Sequence, residues 1–197
     1  MKRFILYLGG VIFLIVMGLV FFPFFMRSSG SQISSCSSNL KQLALAIQLY
    51  SQDYDGKLPS AIFPNKIVGW ANGLQPYVKS TQIFQCPQEN NWPQRVPQPN
   101  EPGFTDYWFN RNIAGLQDKT LKNVDHLIML GDGDGGSPES TASYAISQIP
   151  LSWLQSSDSP LKRHLGGANY AFADGHVKWL KPDEILQLHS LYTFANK

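Results

Sequence analysis

Charge is scarce in this 197-residue chain, because Asp, Glu, Lys and Arg together make up only 15% of its residues. The 16 basic residues nearly balance the 14 acidic ones. A nucleic-acid-binding protein would show a basic stripe or a strong cationic excess, so the composition argues against that class. Aromatic residues reach 13%, which is untypical of a disordered chain. The composition therefore indicates a folded body.

Motifs typical of enzymes and metal sites are also missing. The chain contains no Gly-x-Ser-x-Gly sequence, and we expect it not to be an enzyme. Its two cysteines, Cys36 and Cys86, form no Cys-x-x-Cys pair, so no zinc site is expected. Outside the cytoplasm an even pair predicts a disulfide, which would stabilise the fold by about 4 kcal/mol. Two buried free thiols are the alternative.

One long segment is apolar and carries no charge. It runs from Phe4 to Met26, between Arg3 and Arg27. As a helix it would be roughly 34 Å long, enough for a hydrocarbon core of about 30 Å. The segment predicts a single transmembrane helix. With Lys2 and Arg3 on one flank, the positive-inside rule places the N-terminus in the cytoplasm. The expected location is therefore the bacterial inner membrane, with a periplasmic or extracellular domain.

Three alternatives to this anchor remain. The apolar run could be the core of a cleaved secretory signal, although it is longer than such cores usually are. The tetrapeptide ending at Cys36 resembles a lipobox, but polar residues and Arg27 separate it from the apolar run. A buried helix of a water-soluble domain is the third alternative.

An apolar stripe with helical spacing follows the apolar segment. Its members recur every three or four residues, which predicts one amphipathic helix of about six turns. The stripe contains Ile33, Cys36, Leu40, Leu43, Ile47, Tyr50 and Tyr54. The Asp55-Gly56 dipeptide predicts its end. We therefore divide the chain into an anchor (1–27), an amphipathic continuation of the same helix (28–56) and a globular domain (57–197) packed on residues 31–56. A coiled-coil stalk is the alternative for the stripe.

A β-hairpin is predicted near the C-terminus. Residues alternate in character on both sides of Asp174-Gly175, a dipeptide favoured in type I′ turns. His176 belongs to the second strand. Pro182, with two acidic residues behind it, predicts a short terminal helix.

The same region resembles the pilin-like, prepilin-type family related to type II secretion pseudopilins and type IV pilins. His164 followed after nine residues by Asp174-Gly175 matches the H-x9-DG signature of that family. Asn169 and His176 belong to the matching stretch. Further similar segments are 36–43, 58–59, 84–87, 107–110, 130–132 and 163–169.

The resemblance implies an α+β, pilin-like fold. It consists of a long N-terminal helix, half transmembrane and half amphipathic, packed on a small antiparallel sheet with a short C-terminal helix. One feature of prepilins is absent, because no carboxylate precedes Asp53, whereas prepilins carry a Glu early in the apolar run. We therefore expect a non-enzymatic, membrane-anchored structural subunit. Its outer domain would dock on a larger secretion, respiratory or photosynthetic assembly.

Two alternative functions remain open. The chain could be a pseudopilin or minor pilin in a filament of pilin-like neighbours, or an extracytoplasmic module that binds calcium or another ligand. Apart from protein subunits, the expected partner is the lipid bilayer, through Phe4 to Met26.

Several side chains are candidate site residues. His164 is expected to pack beside the Asp174-Gly175 turn, and structural roles for His164, Asp174 and His176 are preferred over metal binding or catalysis. No cofactor is expected, although Asp132 and Asp134 could begin an irregular calcium loop. A proline-rich stretch predicts an exposed contact surface that includes Trp92, Pro93, Pro97 and Pro99.

Overall fold

A computed structural model of the chain describes residues 10, 13, 15–18, 29–62, 68–89 and 97–187. The chain divides into two compact units, Met1–Gln32 and Ile33–Lys197. In the first unit, the described residues 10, 13 and 15–18 are helical, and their side chains are exposed. All contacts discussed below lie within the second unit.

The first long element is helix α1, Ser29–Asp53. Its spacing of apolar residues buries one face, which carries Cys36, Leu40, Leu43, Ile47 and Tyr50. The predicted stripe is confirmed for these five residues, and the side chain of Ile33 lies outside the described part of the structure. Tyr54 is about half exposed and stacks on Tyr50 with ring centroids 4.1 Å apart. The helix ends before Asp55 and Gly56, which both adopt positive φ. The Gly56 amide closes the end by donating to the Ser51 carbonyl at 2.7 Å.

Five strands form one sheet in the order β3-β1-β2-β4-β5. Their bounds are Tyr107–Asn110 (β1), Ile128–Asp132 (β2), Ala145–Ile146 (β3), Ala168–Phe172 (β4) and Val177–Leu180 (β5). Strand β1 pairs antiparallel with β2 and parallel with the two-residue β3. Strand β4 pairs antiparallel with β2 and β5. The sheet is therefore mixed.

Short helices fill the connections. They are α2 (Trp70–Gly73), α3 (Leu151–Gln155), α4 (Pro182–Gln187) and the 3-10 helices Gln75–Tyr77, Thr81–Phe84, Arg111–Ile113, Asp118–Thr120 and Pro160–Lys162.

Apolar side chains are buried on both faces of the sheet. Alternate residues of a strand point to opposite faces, so Tyr107 and Phe109 join the cluster that contains the α1 stripe. Trp108, Tyr170 and Phe172 belong to a second cluster. The central strands are thus covered on both sides, which holds their ends in fixed positions.

The predicted fold class is wrong. The expected sheet was small and antiparallel, but β3 joins β1 in parallel, because the loop after β2 carries the chain to the far side of β1. The expected helix had an apolar half before its amphipathic half. The long helix α1 runs from Ser29 to Asp53, and no helix among the described residues is long and apolar enough to form the apolar half.

The predicted membrane anchor and the inner-membrane location are also corrected. Among the residues that the structure describes, no helix has both the length and the apolar character needed to cross a bilayer. The prediction depended on the run from Phe4 to Met26, which lies largely outside the described residues. An uncharged run establishes apolar character but not the continuous helix that a membrane span requires.

The predicted hairpin is confirmed, but its turn type is not. Strands β4 and β5 pair from Ala168 with Leu180 to Ala171 with Val177. The connection has three residues, because the Phe172 amide donates to the His176 carbonyl and the Gly175 amide donates to the Phe172 carbonyl. Within Asp174-Gly175 only Gly175 has positive φ, +88°. A type I′ turn needs two such residues, so the loop is of the three-residue kind that ends in a positive-φ glycine.

Candidate functional site

The predicted disulfide is confirmed. Cys36, in the first turns of α1, is bonded to Cys86, which follows the 3-10 helix Thr81–Phe84. Their Cα atoms are 5.1 Å apart across a sequence separation of 50 residues. Both residues are fully buried. The bridge therefore ties the start of α1 to the loop that precedes β1.

His164 lies against this disulfide rather than beside the Asp174-Gly175 turn, so the predicted position of its side chain is wrong. Its Nε2 is 3.7 Å from Cys86 Sγ and 3.1 Å from Asp132 Oδ2. Its Nδ1 contacts the side-chain amide of Gln88. The imidazole and the Asp132 carboxylate have no solvent exposure. We call His164, together with its neighbours Cys36, Cys86 and Asp132, the buried end of the H-x9-DG motif.

A tight loop positions the His164 ring. Leu165 and Gly166 both have positive φ, and His164 and Gly167 exchange two backbone hydrogen bonds. The Trp179 indole donates to the His164 carbonyl at 2.7 Å, which ties the loop to β5. Because the backbone is held on both sides, the ring has little freedom to leave the buried end.

Asp132 links the buried end to the sheet. This residue ends β2, and its Oδ2 accepts hydrogen bonds from the amide of Asn169 at 2.6 Å and from the Asn169 side chain at 3.1 Å. Its Oδ1 accepts no hydrogen bond from any described residue, although it is buried. A buried carboxylate with one satisfied and one unsatisfied oxygen is a candidate ligand for a cation.

A second buried carboxyl group lies next to the disulfide. Asp106 Oδ2 accepts a hydrogen bond from the Cys86 amide at 2.6 Å. Burial raises the pKa of the Asp106 carboxyl to about 7, although this hydrogen bond and the nearby Arg163 lower it. Arg163 pairs with Glu89 and donates to the Gly133 carbonyl at 2.7 Å.

Asp174 and Gly175 form the turn end of the motif, and they contact the middle of α1. Lys41 Nζ donates to the Gly175 carbonyl at 2.6 Å, and the Gln48 amide donates to the Asp174 carbonyl at 3.4 Å. Asp174 Oδ1 accepts the His176 amide at 3.0 Å and contacts His176 Nδ1 at 2.7 Å. The His176 ring stacks on Phe172 with centroids 4.3 Å apart.

The two calcium candidates are used in different places. Asp132 is engaged with His164 and Asn169 as described above, while Asp134 Oδ1 accepts the amide of Gly136 at 3.0 Å in a local turn. The carboxylates therefore serve two separate hydrogen-bond networks, and neither contact indicates a shared calcium loop.

The predicted proline-rich contact surface is described only in part. Trp92 and Pro93 lie outside the described residues. Pro97 is buried, and Pro99 is half-buried with its carbonyl accepting the Ala142 amide at 2.8 Å. Pro97 and Pro99 are therefore not the freely exposed residues that the sequence predicted.

Sequence reasoning missed the grouping of both cysteines with His164. A sulfur of each cysteine and a ring nitrogen of His164 all lie within 4.8 Å of one another. His164 follows Cys86 by 78 positions, so no short spacing signals the cluster. The order of residues in the chain could not reveal it, because the cluster depends on how α1, the Cys86 loop and the loop before β4 come together.

Comparison with protein-family models, curated proteins and solved structures finds no significant match to this chain. The resemblance to the prepilin-type family therefore stays a prediction, and the residues described above carry the functional argument.

Proposed function

We propose that the chain is a non-enzymatic structural subunit of the pilin-like kind, whose folded body docks on other protein subunits. The observation that carries this proposal is that the H-x9-DG motif makes its contacts inside the folded body. His164 and Asp132 form a contact of 3.1 Å in full burial, where they join the disulfide loop to the sheet. Groups placed in this way fasten the fold and are not presented to a substrate.

The solvent-facing side of α1 supports the docking role. Leu45 and Leu49 are one helical turn apart and are exposed by 55% and 39%. Leu45 borders a shallow groove of about 150 Å³ between α1 and the turn end of the motif. The groove is also lined by Lys41, Gln42, Gln48, Asp174 and Gly175. An exposed apolar pair beside such a groove fits a segment of another protein that offers an apolar side chain.

The groove has a fixed shape. Lys41 and Gln48 both donate to carbonyls of the turn end, so side chains of α1 are joined to the backbone of the hairpin turn. A surface that is already ordered loses less conformational entropy when it binds. The proposed role needs no cofactor.

Site-specific crosslinking tests this proposal. A photoreactive amino acid would replace Leu45 in the full chain, expressed in the cells from which the sequence comes, and after irradiation the crosslinked chains would be identified by mass spectrometry. We expect one protein subunit to be captured in good yield. The matched control is Leu151, which is 73% exposed but does not line the groove.

The outcomes separate the alternatives. Capture of a different chain from Leu45 alone supports a subunit of a mixed assembly, and capture of a second copy supports a filament of pilin-like neighbours. Equal capture from Leu45 and Leu151, or none from either position, would contradict the docking surface.

A further inference from the structure

The buried end contains the ligand set of a metal site. Each cysteine offers a sulfur and His164 offers a ring nitrogen, and these three atoms lie within 4.8 Å of one another. All three residues have zero exposure. Two sulfurs and one imidazole nitrogen form a ligand set that zinc prefers in proteins.

The separation of the Cys86 sulfur and the His164 ring nitrogen fits a tetrahedral zinc ion. With Zn–S near 2.3 Å and Zn–N near 2.0 Å, a tetrahedral site places sulfur and nitrogen about 3.5 Å apart. Cys86 Sγ and His164 Nε2 are 3.7 Å apart. The ring therefore already points the required nitrogen at the sulfur.

The other ring nitrogen contacts a hydrogen-bond acceptor. His164 Nδ1 contacts the side-chain amide oxygen of Gln88, which can accept a hydrogen bond from it. Such a contact fixes the orientation of the ring and leaves Nε2 for a metal. The two backbone hydrogen bonds between His164 and Gly167 hold the ring in place from the other side.

Asp132 is an independent indication of a cation. Its carboxylate is fully buried and touches His164 Nε2 through Oδ2 at 3.1 Å. Its Oδ1 accepts no hydrogen bond in the described structure. A buried carboxylate oxygen without a partner is costly, and a metal ion beside it would remove that cost.

We propose that the reduced protein binds one zinc ion through Cys36, Cys86 and His164 Nε2, next to the Asp132 carboxylate. The disulfide and the metal exclude each other, because both use the same two sulfurs. The site thus has a disulfide state and a zinc state, and the redox conditions decide between them. This inference is independent of the proposed docking role.

The conversion balances with a dithiol as reductant. A thiolate of the dithiol attacks one sulfur of the Cys36–Cys86 bond, and its second thiol resolves the mixed disulfide. Two electrons and two protons pass to the cysteines, while the dithiol becomes a cyclic disulfide. Zinc then displaces the two thiol protons, which are released to solvent, and binds the lone pair of His164 Nε2. A disulfide oxidant reverses the reaction and releases the metal.

The test uses the full chain and cobalt as a spectroscopic probe. The protein would be reduced with a water-soluble phosphine, freed of reductant without oxygen, and titrated with Co²⁺. We expect one equivalent to bind, with sulfur-to-cobalt charge-transfer bands and the visible bands of tetrahedral cobalt, and Zn²⁺ to displace it. The oxidised protein should bind none. A reduced and folded chain that binds no Co²⁺ would overturn the proposal.

Variants assign the ligands. Asp132→Asn should weaken Co²⁺ binding by about 10- to 100-fold, and His164→Ala by at least as much. His164→Cys supplies a third sulfur, so it should keep the metal and strengthen the charge-transfer bands. The matched control is His176→Ala at the turn end, which should bind as the wild type does. An equal loss in His176→Ala would refute the assignment.

The folding state of the reduced chain provides a second readout. If the reduced chain loses its circular dichroism signal, Zn²⁺ should restore it, because metal binding then supplies folding free energy. Failure of Zn²⁺ to restore the signal would also overturn the proposal.

Discussion

The two ends of the H-x9-DG motif lie in opposite environments. At the buried end, His164 has no solvent exposure and contacts the disulfide and Asp132. At the turn end, Asp174 and His176 form an exposed pair at 2.7 Å. Electrostatic contacts weigh most where water is excluded, so the same pair of residue types carries very different energies at the two ends.

Both ends nevertheless contact the same helix. His164 contacts Cys86, which is bonded to Cys36 of α1. The Gly175 carbonyl accepts a hydrogen bond from the Lys41 ammonium group of the same helix. The nine residues between His164 and Asp174 include β4. The motif therefore joins the sheet to α1 at two points, one buried and one exposed to solvent.

The largest expected effect is a loss of stability at the buried end. His164→Gln removes the ring that contacts Asp132 and leaves that carboxylate poorly compensated, which should lower the free energy of unfolding by about 3 kcal/mol. Urea unfolding of the oxidised protein would measure it. His176→Gln at the turn end is the control, and we expect about 0.5 kcal/mol or less. Equal losses of unfolding free energy in the two variants would show that burial does not make the His164 contact stronger than the His176 contact.

The next effect is a pH dependence of stability that comes from Asp106, which lies beside the buried end. The pKa of Asp106 is raised to about 7 in the folded protein, from its ordinary value of 3.8. Between these values the folded state holds a proton that the unfolded state has lost, so the Asp106 contribution to stability falls as pH rises from about 4 to about 7. Below and above this window the contribution is constant.

Asp106→Asn tests that dependence. The amide is neutral at every pH and still accepts the Cys86 amide, so the variant should match the wild type near pH 4. Near pH 8 it should exceed the wild type by a few kcal/mol. Urea unfolding at both values would show it. A difference that stays constant between the two pH values would contradict the prediction.

The smallest effect concerns the turn end. Gly175 has φ of +88°, and a Cβ there would lie 2.8 Å from Gln48 Nε2 on α1. Gly166 has φ of +83° and has no atom near its Cβ position. Alanine at either position should cost about 1 kcal/mol because of the positive φ. Thermal unfolding should show a slightly larger loss of stability for Gly175→Ala, because only its Cβ meets a side chain of α1. A larger loss for Gly166→Ala would contradict close packing of the turn against α1.

Local patterns predicted the local parts of this fold. The spacing of apolar residues identified the buried face of α1, Asp55-Gly56 identified its end, and Asp174-Gly175 identified the hairpin. The pairing of the two cysteines followed from their number. Each of these features depends on residues close in sequence or on simple counting.

Features that depend on distant segments could not be predicted in this way. Strand β3 has only two residues and pairs in parallel, so neither its length nor its neighbours marked it. His164 meets Cys86 across 78 positions, and Asp132 meets Asn169 across 37. The raised pKa of Asp106 comes from burial, which a sequence does not show.

The two edge strands of the sheet disfavour edge-to-edge association between copies of this domain. One border is the two-residue β3, and the other is β5, where Lys178 is exposed. A strand from another molecule would find too few free amides at the first border and would have to dehydrate an ammonium group at the second. Addition of a further strand at either border of the sheet is therefore disfavoured, so the sheet does not favour growth into ribbons.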